Sequence, residues 1–156
     1  MPATNWNQDQ PIVTYLKHWL PLYFPVIPKN HPPGHGVGGY KLRTTASGGF
    51  SAHSEGRAAD IYLNAFDSKQ RSLGDALFDM FITSSGRLGV DHTIWNHNIW
   101  SSQKGGPRTY FGKKPHTDHV HVAFTRNGSQ SRPPLLLTLL DQVHMQVYGT
   151  GPMSNI

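Results

Sequence analysis

The stretch SAHSEGRAAD, Ser51 to Asp60, sets a histidine and an aspartate seven residues apart with only small, flexible or polar residues between them. Further along, His116 to Phe124 read HTDHVHVAF. Neutral imidazole and carboxylate are both metal ligands, and a hydrolytic zinc site needs three such ligands and one open position. On a β-strand, side chains two apart share a face. His119, His121 and Ala123 therefore point one way, and Val120, Val122 and Phe124 point the other. The apolar row is expected to pack on a core and the histidine row to look into a site. There both imidazoles could serve a metal, or one could ligate while the other works on water. Taken alone, HVHV also reads as an ordinary strand with polar residues in solvent. In the first segment, Gly56 permits a tight turn after His53, and Ala58 and Ala59 leave room for close backbone packing. Asp60 then enters a strand whose Ile61 and Leu63 point away from it. The turn can thus bring His53 and Asp60 to one point; a loop with a capping Asp is the alternative. The two segments are expected to meet and hold one metal ion.

Together they match a pattern. SAHSEGRAAD resembles the S-x-H-x-x-G-x-A-x-D motif of the zinc D-alanyl-D-alanine carboxypeptidase and murein endopeptidase group, which shares a fold with lysostaphin-type enzymes and the hedgehog domain. Ser51, His53, Gly56, Ala58 and Asp60 fill every fixed position, and HVHV supplies the closing H-x-H. With LGVDHTIWNHNIWSS added, the likeness runs from about Tyr40 to Phe124, nearest to peptidase-like C-terminal domains of actinobacterial cell-wall proteins. The resemblance implies one Zn2+ per chain held by His53, Asp60 and His121. It implies a hydrolase, a zinc metalloprotease of peptidoglycan, acting as endopeptidase or carboxypeptidase on stem peptides or cross-links. For the general base there are three candidates. His119 ranks first because it shares a face with His121. Asp118 follows, three before His121 where carboxypeptidase relatives carry Glu, though strand parity turns it away unless the strand starts only at His119. His116 is third, placed as in penicillin-insensitive murein endopeptidases. Arg43 is a candidate for binding substrate carboxylate, and Ser51 for a hydrogen bond to substrate or for shaping the turn. A non-catalytic zinc-stabilised binding module of the same fold is the alternative to an enzyme.

Composition narrows the rest. The 156 residues suit a single domain, 1–156, whose motif-bearing core spans about 40–125. There are no cysteines, which excludes disulfides, thiolate zinc sites and Cys nucleophiles. Mean hydropathy is −0.47, the mark of a soluble globular chain. Net charge is +5, favouring an anionic wall or other polyanion. The fourteen basic residues are scattered, with no run that marks a nucleic-acid patch, so no nucleic-acid partner is expected. Of ten histidines, four fall between His97 and His121; His31, His35, His92, His97 and His144 read as surface or satisfied loop residues. The N-terminal residues lack the pattern of a signal peptide, and no apolar run is long enough to cross a membrane. Action at the cell wall or periplasm would then follow export, lysis or delivery by other machinery, as for a secreted antibacterial protein with a delivery or immunity partner. The chain is expected to be a monomer.

The elements that must position these residues are short. Ile12 to Leu20 reads as a helix ended by Pro21, Pro28 to Gly49 as an irregular arm, and Ala59 to Leu63 as a strand. Asp67 caps a helix over Ser68 to Ile82. Val90 to Trp95 and Ile99 to Ser102 form a hairpin turning at Asn96 and His97. A Gly/Lys-rich loop runs from Ser101 to Pro115, a strand from His119 to Thr125, and a C-terminal helix starts at Pro133 and Pro134. Hairpin connections rather than parallel crossovers give an α+β fold, a small antiparallel sheet with flanking helices of the hedgehog and D-Ala-D-Ala-peptidase type.

Overall fold

The computed structural model of the protein describes residues 3–29, 36–42 and 51–151. The alternating segment His119–Phe124 forms β6, and every other strand is arranged around it. Its neighbours are β2, Ala58–Tyr62, and β3, Val90–Trp95. Outside β2 lies the two-residue β1, Val37–Gly38. Outside β3 lie β4, Asn98–Ser101, and β5, Gly105–Thr109. The six strands run in the order β1-β2-β6-β3-β4-β5, and each neighbouring pair is antiparallel. The expected α+β architecture is what the chain adopts.

One face of this sheet carries the apolar row. Val120, Val122 and Phe124 from β6 and Ile61 from β2 are fully buried. They pack with residues of α1, Pro11–Tyr23, α2, Ser68–Thr83, and α5, Pro134–Tyr148, in one core. Burying each such side chain contributes about 1.5–3 kcal/mol, so this row fixes which face of β6 the histidines must take. The Asp67 carboxylate caps α2 by accepting from the backbone N–H of Lys69 and Gln70, as its sequence position implies. Two short helices, α3 at Ser85–Leu88 and α4 at Arg126–Ser129, flank β3 and β6. Among the described residues no helix is long and apolar enough to cross a membrane.

Three elements differ from the sequence reading. The first helix passes through Pro21 to Tyr23, because a proline there forfeits one backbone bond while the bond that closes the last turn, Phe24 N–H to Leu20 O at 2.9 Å, still forms over two fully buried side chains. β5 lies inside the segment read as a loop. It is an edge strand of Gly, Pro, Arg and Thr that is largely exposed, so it has no apolar alternation to read, and an edge is where a strand tolerates Pro107. β1 lies inside the segment read as an irregular arm, most of which falls outside the described residues.

Gly56 is the glycine on which the site depends. Its φ is +68° at the end of a 3-10 turn, Ala52–Glu55, and a β-carbon there would sit 1.7 Å from the Gln8 carbonyl oxygen. Gly56→Ala is therefore expected to cost more than the roughly 1–2 kcal/mol of a left-handed non-glycine residue, read as a lower urea midpoint at unchanged slope. A midpoint equal to that of the wild type would show that the turn and the Gln8 segment relax freely.

Candidate metal centre

Two neighbouring elements carry three donors to one point. β2 and β6 are in register with Asp60 opposite His121, so both side chains leave the same face of the sheet. The 3-10 turn Ala52–Glu55 precedes β2 and folds His53 over that pair. The turn is pinned from outside: Glu55 accepts from Arg57 Nη2 at 2.9 Å and from Arg126 Nη2 at 2.7 Å. His53, Asp60 and His121 are all buried.

The donor atoms form a small triangle. His53 Nε2 is 3.1 Å from Asp60 Oδ1, His121 Nδ1 is 3.0 Å from the same oxygen, and the two nitrogens are 3.3 Å apart. Ligands at zinc bond lengths in a tetrahedral site are separated by about 3.3 Å. The triangle is thus the size of one face of such a site, and these three residues could hold a metal ion. His53 is already in the required tautomer. Its Nδ1–H donates to the Gly39 carbonyl at 2.8 Å, which leaves the lone pair on Nε2.

The protonation states suit the same role, since a ligand histidine must be neutral and a ligand carboxylate ionised. Burial pushes the His121 imidazole down to about 3, against the raising effect of its hydrogen bond with Asp60. Burial alone would raise the Asp60 carboxyl, but its hydrogen bonds with His121 and His53 prevail and hold it well below the usual carboxylate range.

The remaining candidates distribute around the triangle. His119 leaves the same face as His121, and its Nε2 is 3.5 Å from Asp60 Oδ1. Its Nδ1–H donates to Asp118 Oδ1 at 2.7 Å, which places the lone pair on Nε2. β6 begins at His119, so Asp118 escapes strand parity, but its carboxylate is 75% exposed and holds His119 from the rim. The His116 ring lies 4.6 Å from that of His119 and 5.9 Å from that of His121. Burial, followed by the charge of His119, pushes His116 down to about 4. Ser51 lines the cleft before the turn. Arg43, like His31 and His35, lies outside the described residues.

Above the triangle opens a cleft of about 1070 Å³. Its walls come from Tyr62 and from the segment Tyr110–Thr117, which adds Lys113, Lys114 and the exposed Phe111. This Gly/Lys-rich segment was read from sequence only as a loop, and its exposed side chains carry no periodic signal.

His92 is the residue that sequence reasoning missed. Instead of lying free on the surface, its Nε2 sits 3.0 Å from His121 Nε2. The cause is an irregularity in β3: Val90 pairs with Phe124 in the core row, whereas His92 pairs with Ala123 in the site row. Strict alternation would put residues 90 and 92 on one face, so only the Asp-His dipeptide beside a strand start hinted at the site. His144 also differs from its sequence reading: it is buried, stacked on Phe24.

The depressed imidazoles of His116 and His121 are expected to make the protein acid-labile. The folded pKa values of His116 and His121 lie below the ordinary 6.5. Between 6.5 and those values the unfolded chain binds more protons, so stability falls as pH drops through about 6.5 toward 4. Asp60 acts in the same direction, because its contribution is lost as pH falls through its depressed pKa. The urea midpoint is expected to decline from pH 7.5 to 4.5; a midpoint constant over that range would contradict the depressed imidazoles of His116 and His121.

Comparison with known proteins gives one family. The family model described as VldE, C-terminal domain, matches residues 26–121, a span that contains all three donors and ends at His121. No curated protein and no solved structure matches the chain.

Proposed function

The chain belongs to the VldE C-terminal domain family, and on that footing we propose that its donor triangle holds zinc and that it hydrolyses amide bonds in peptidoglycan stem peptides or cross-links. The observation that carries this reading is the convergence of His53, Asp60 and His121, with Asp60, His121 and the neighbouring His119 lining an open cleft. The motif resemblance to murein peptidases supplies the substrate class. Zinc at these donors would supply Lewis acidity, polarising the scissile carbonyl and acidifying the attacking water.

The chain's own groups supply the proton chemistry. His119 Nε2, with its lone pair toward the cleft, takes the proton from water and returns it to the leaving amine. Asp118 holds that tautomer by accepting from His119 Nδ1–H. His116, kept neutral by burial, adds a second imidazole beside His119. Lys113 and Lys114 on the cleft wall favour a substrate bearing carboxylates.

Mass analysis of defined muropeptides incubated with zinc-loaded protein tests the proposal and names the bond cut. New fragments that require zinc and vanish with His53→Ala are the expected result. No fragment from any muropeptide, with zinc firmly bound, would replace the enzyme by a zinc-stabilised binding module.

A further inference from the structure

We infer that Asp91 and His92 are positioning residues for the metal centre, a hydrogen-bonded relay that fixes the tautomer of His121 from its far side. The inference rests on the metal-site reading and adds to it two residues outside the donor set.

The protons can be placed one by one. Asp91 Oδ2 is 2.7 Å from His92 Nδ1. An ionised carboxylate only accepts, so His92 Nδ1 carries a hydrogen. In a neutral imidazole the other nitrogen, His92 Nε2, then bears the lone pair. His121 Nε2 lies 3.0 Å from it. Two lone pairs at that distance would repel, so His121 Nε2 carries the hydrogen and donates. The lone pair of His121 is thereby left on Nδ1, the atom that faces Asp60 and His53. The rings of His92 and His121 lie end to end, with centroids 5.0 Å apart and planes 25° from parallel, the geometry of a hydrogen bond in the ring plane.

The backbone shows how the relay is built. The register shift between Val90 and His92 places Asp91 between a core pair and a site pair. A bulge of this kind re-aims the side chain that follows it, here His92 toward His121. The two ligand histidines are thus held differently. His53 is oriented by a backbone carbonyl, which no substitution at that residue removes, whereas His121 is oriented by two side chains that can be replaced.

The test is metal affinity of the full chain at pH 7.5, by competition between the protein and a chelator for Zn2+ and for Co2+. Wild type is expected to bind one ion. His92→Ala is expected to weaken binding about 10- to 100-fold, the usual effect of losing an outer partner of a ligand. His92→Gln should recover much of the loss, because its Oε1 stands near the position of Nε2 and accepts from His121 Nε2–H. Asp91→Ala should fall between wild type and His92→Ala. In the Co2+-loaded protein the His121 Nε2–H proton is expected to exchange slowly with water, and quickly in His92→Ala. Affinities of His92→Ala and wild type within about twofold would overturn the relay while leaving the metal site intact. Equal weakening in His92→Ala and His92→Gln, with equal loss of thermal stability, would make His92 a packing residue and overturn it too. Two ions per wild-type chain, falling to one in His92→Ala, would make His92 a ligand instead. A wild-type chain that takes up no metal would overturn the metal-site reading, and the relay with it.

Discussion

Purified wild-type protein is expected to carry one zinc per chain, and His53→Ala, Asp60→Ala and His121→Ala are each expected to lose most of it together with all activity on muropeptides. Three protein ligands are what a hydrolytic zinc site uses, so removing any one leaves two. The three substitutions fail in different ways. Asp60→Ala deletes the negative charge of the triangle and leaves two buried imidazoles facing each other at 3.3 Å. His53→Ala opens the wall formed by the 3-10 turn. His121→Ala removes the donor in register with Asp60 and strands His92 Nε2 as well. Metal analysis after gel filtration, with circular dichroism to show that each variant is folded, reads the outcome. Stoichiometric zinc in folded His121→Ala would sink the ligand assignment.

His119→Ala is expected to keep its zinc and lose at least about 100-fold in rate, the usual size of a general acid–base contribution. The loss should fall on kcat, because His119 acts on the proton in flight and not on the ground-state complex. Asp118→Asn should be milder: the amide oxygen can still accept from His119 Nδ1–H, so the lone pair stays on Nε2, and only the charge is lost. The exposure of Asp118 argues the same way, since a carboxylate in solvent has little field to contribute. If Asp118→Asn is inactive and His119→Ala active, the roles are reversed and the carboxypeptidase-like arrangement applies.

Much of this site was legible because it follows period-two geometry. The alternation of His119–Phe124 separated the core row from the histidine row, and Asp60 could be placed opposite Ile61 and Leu63 by the same rule. The turn at Gly56 was readable because a positive φ favours glycine. What could not be read was whatever breaks the period. The bulge before His92 inverts the facing of the rest of β3, sending His92 and Ile94 to the site face and Thr93 to the core, without leaving any mark in composition. β5 forms from exposed polar residues held by backbone bonds to β4, and backbone bonds have no sequence signature. The cleft wall at Lys113 and Lys114 is set by where the chain returns to β6, a tertiary fact.

The spacing of the donors along the chain has a thermodynamic consequence. His53 and Asp60 are seven residues apart, but His53 and His121 are separated by 68. The unfolded chain can offer a metal local clusters, His53 with Asp60 or the histidines of His116–His121, but the full triangle exists only when β2 and β6 are paired. A metal held by the triangle stabilises the native state by mass action, by up to about 2.7 kcal/mol when free metal is a hundred times its dissociation constant, less what the unfolded histidines bind. In a chain without cysteine, this brace can be withdrawn by lowering free metal, as a disulfide cannot. Linkage also runs backwards. Any substitution that unpairs the sheet lowers apparent metal affinity by the fraction of molecules left folded, even when it lies in α2 or α5, far from every donor. A zinc titration of this protein is therefore also a measurement of its folding equilibrium, with chelator in the place of denaturant.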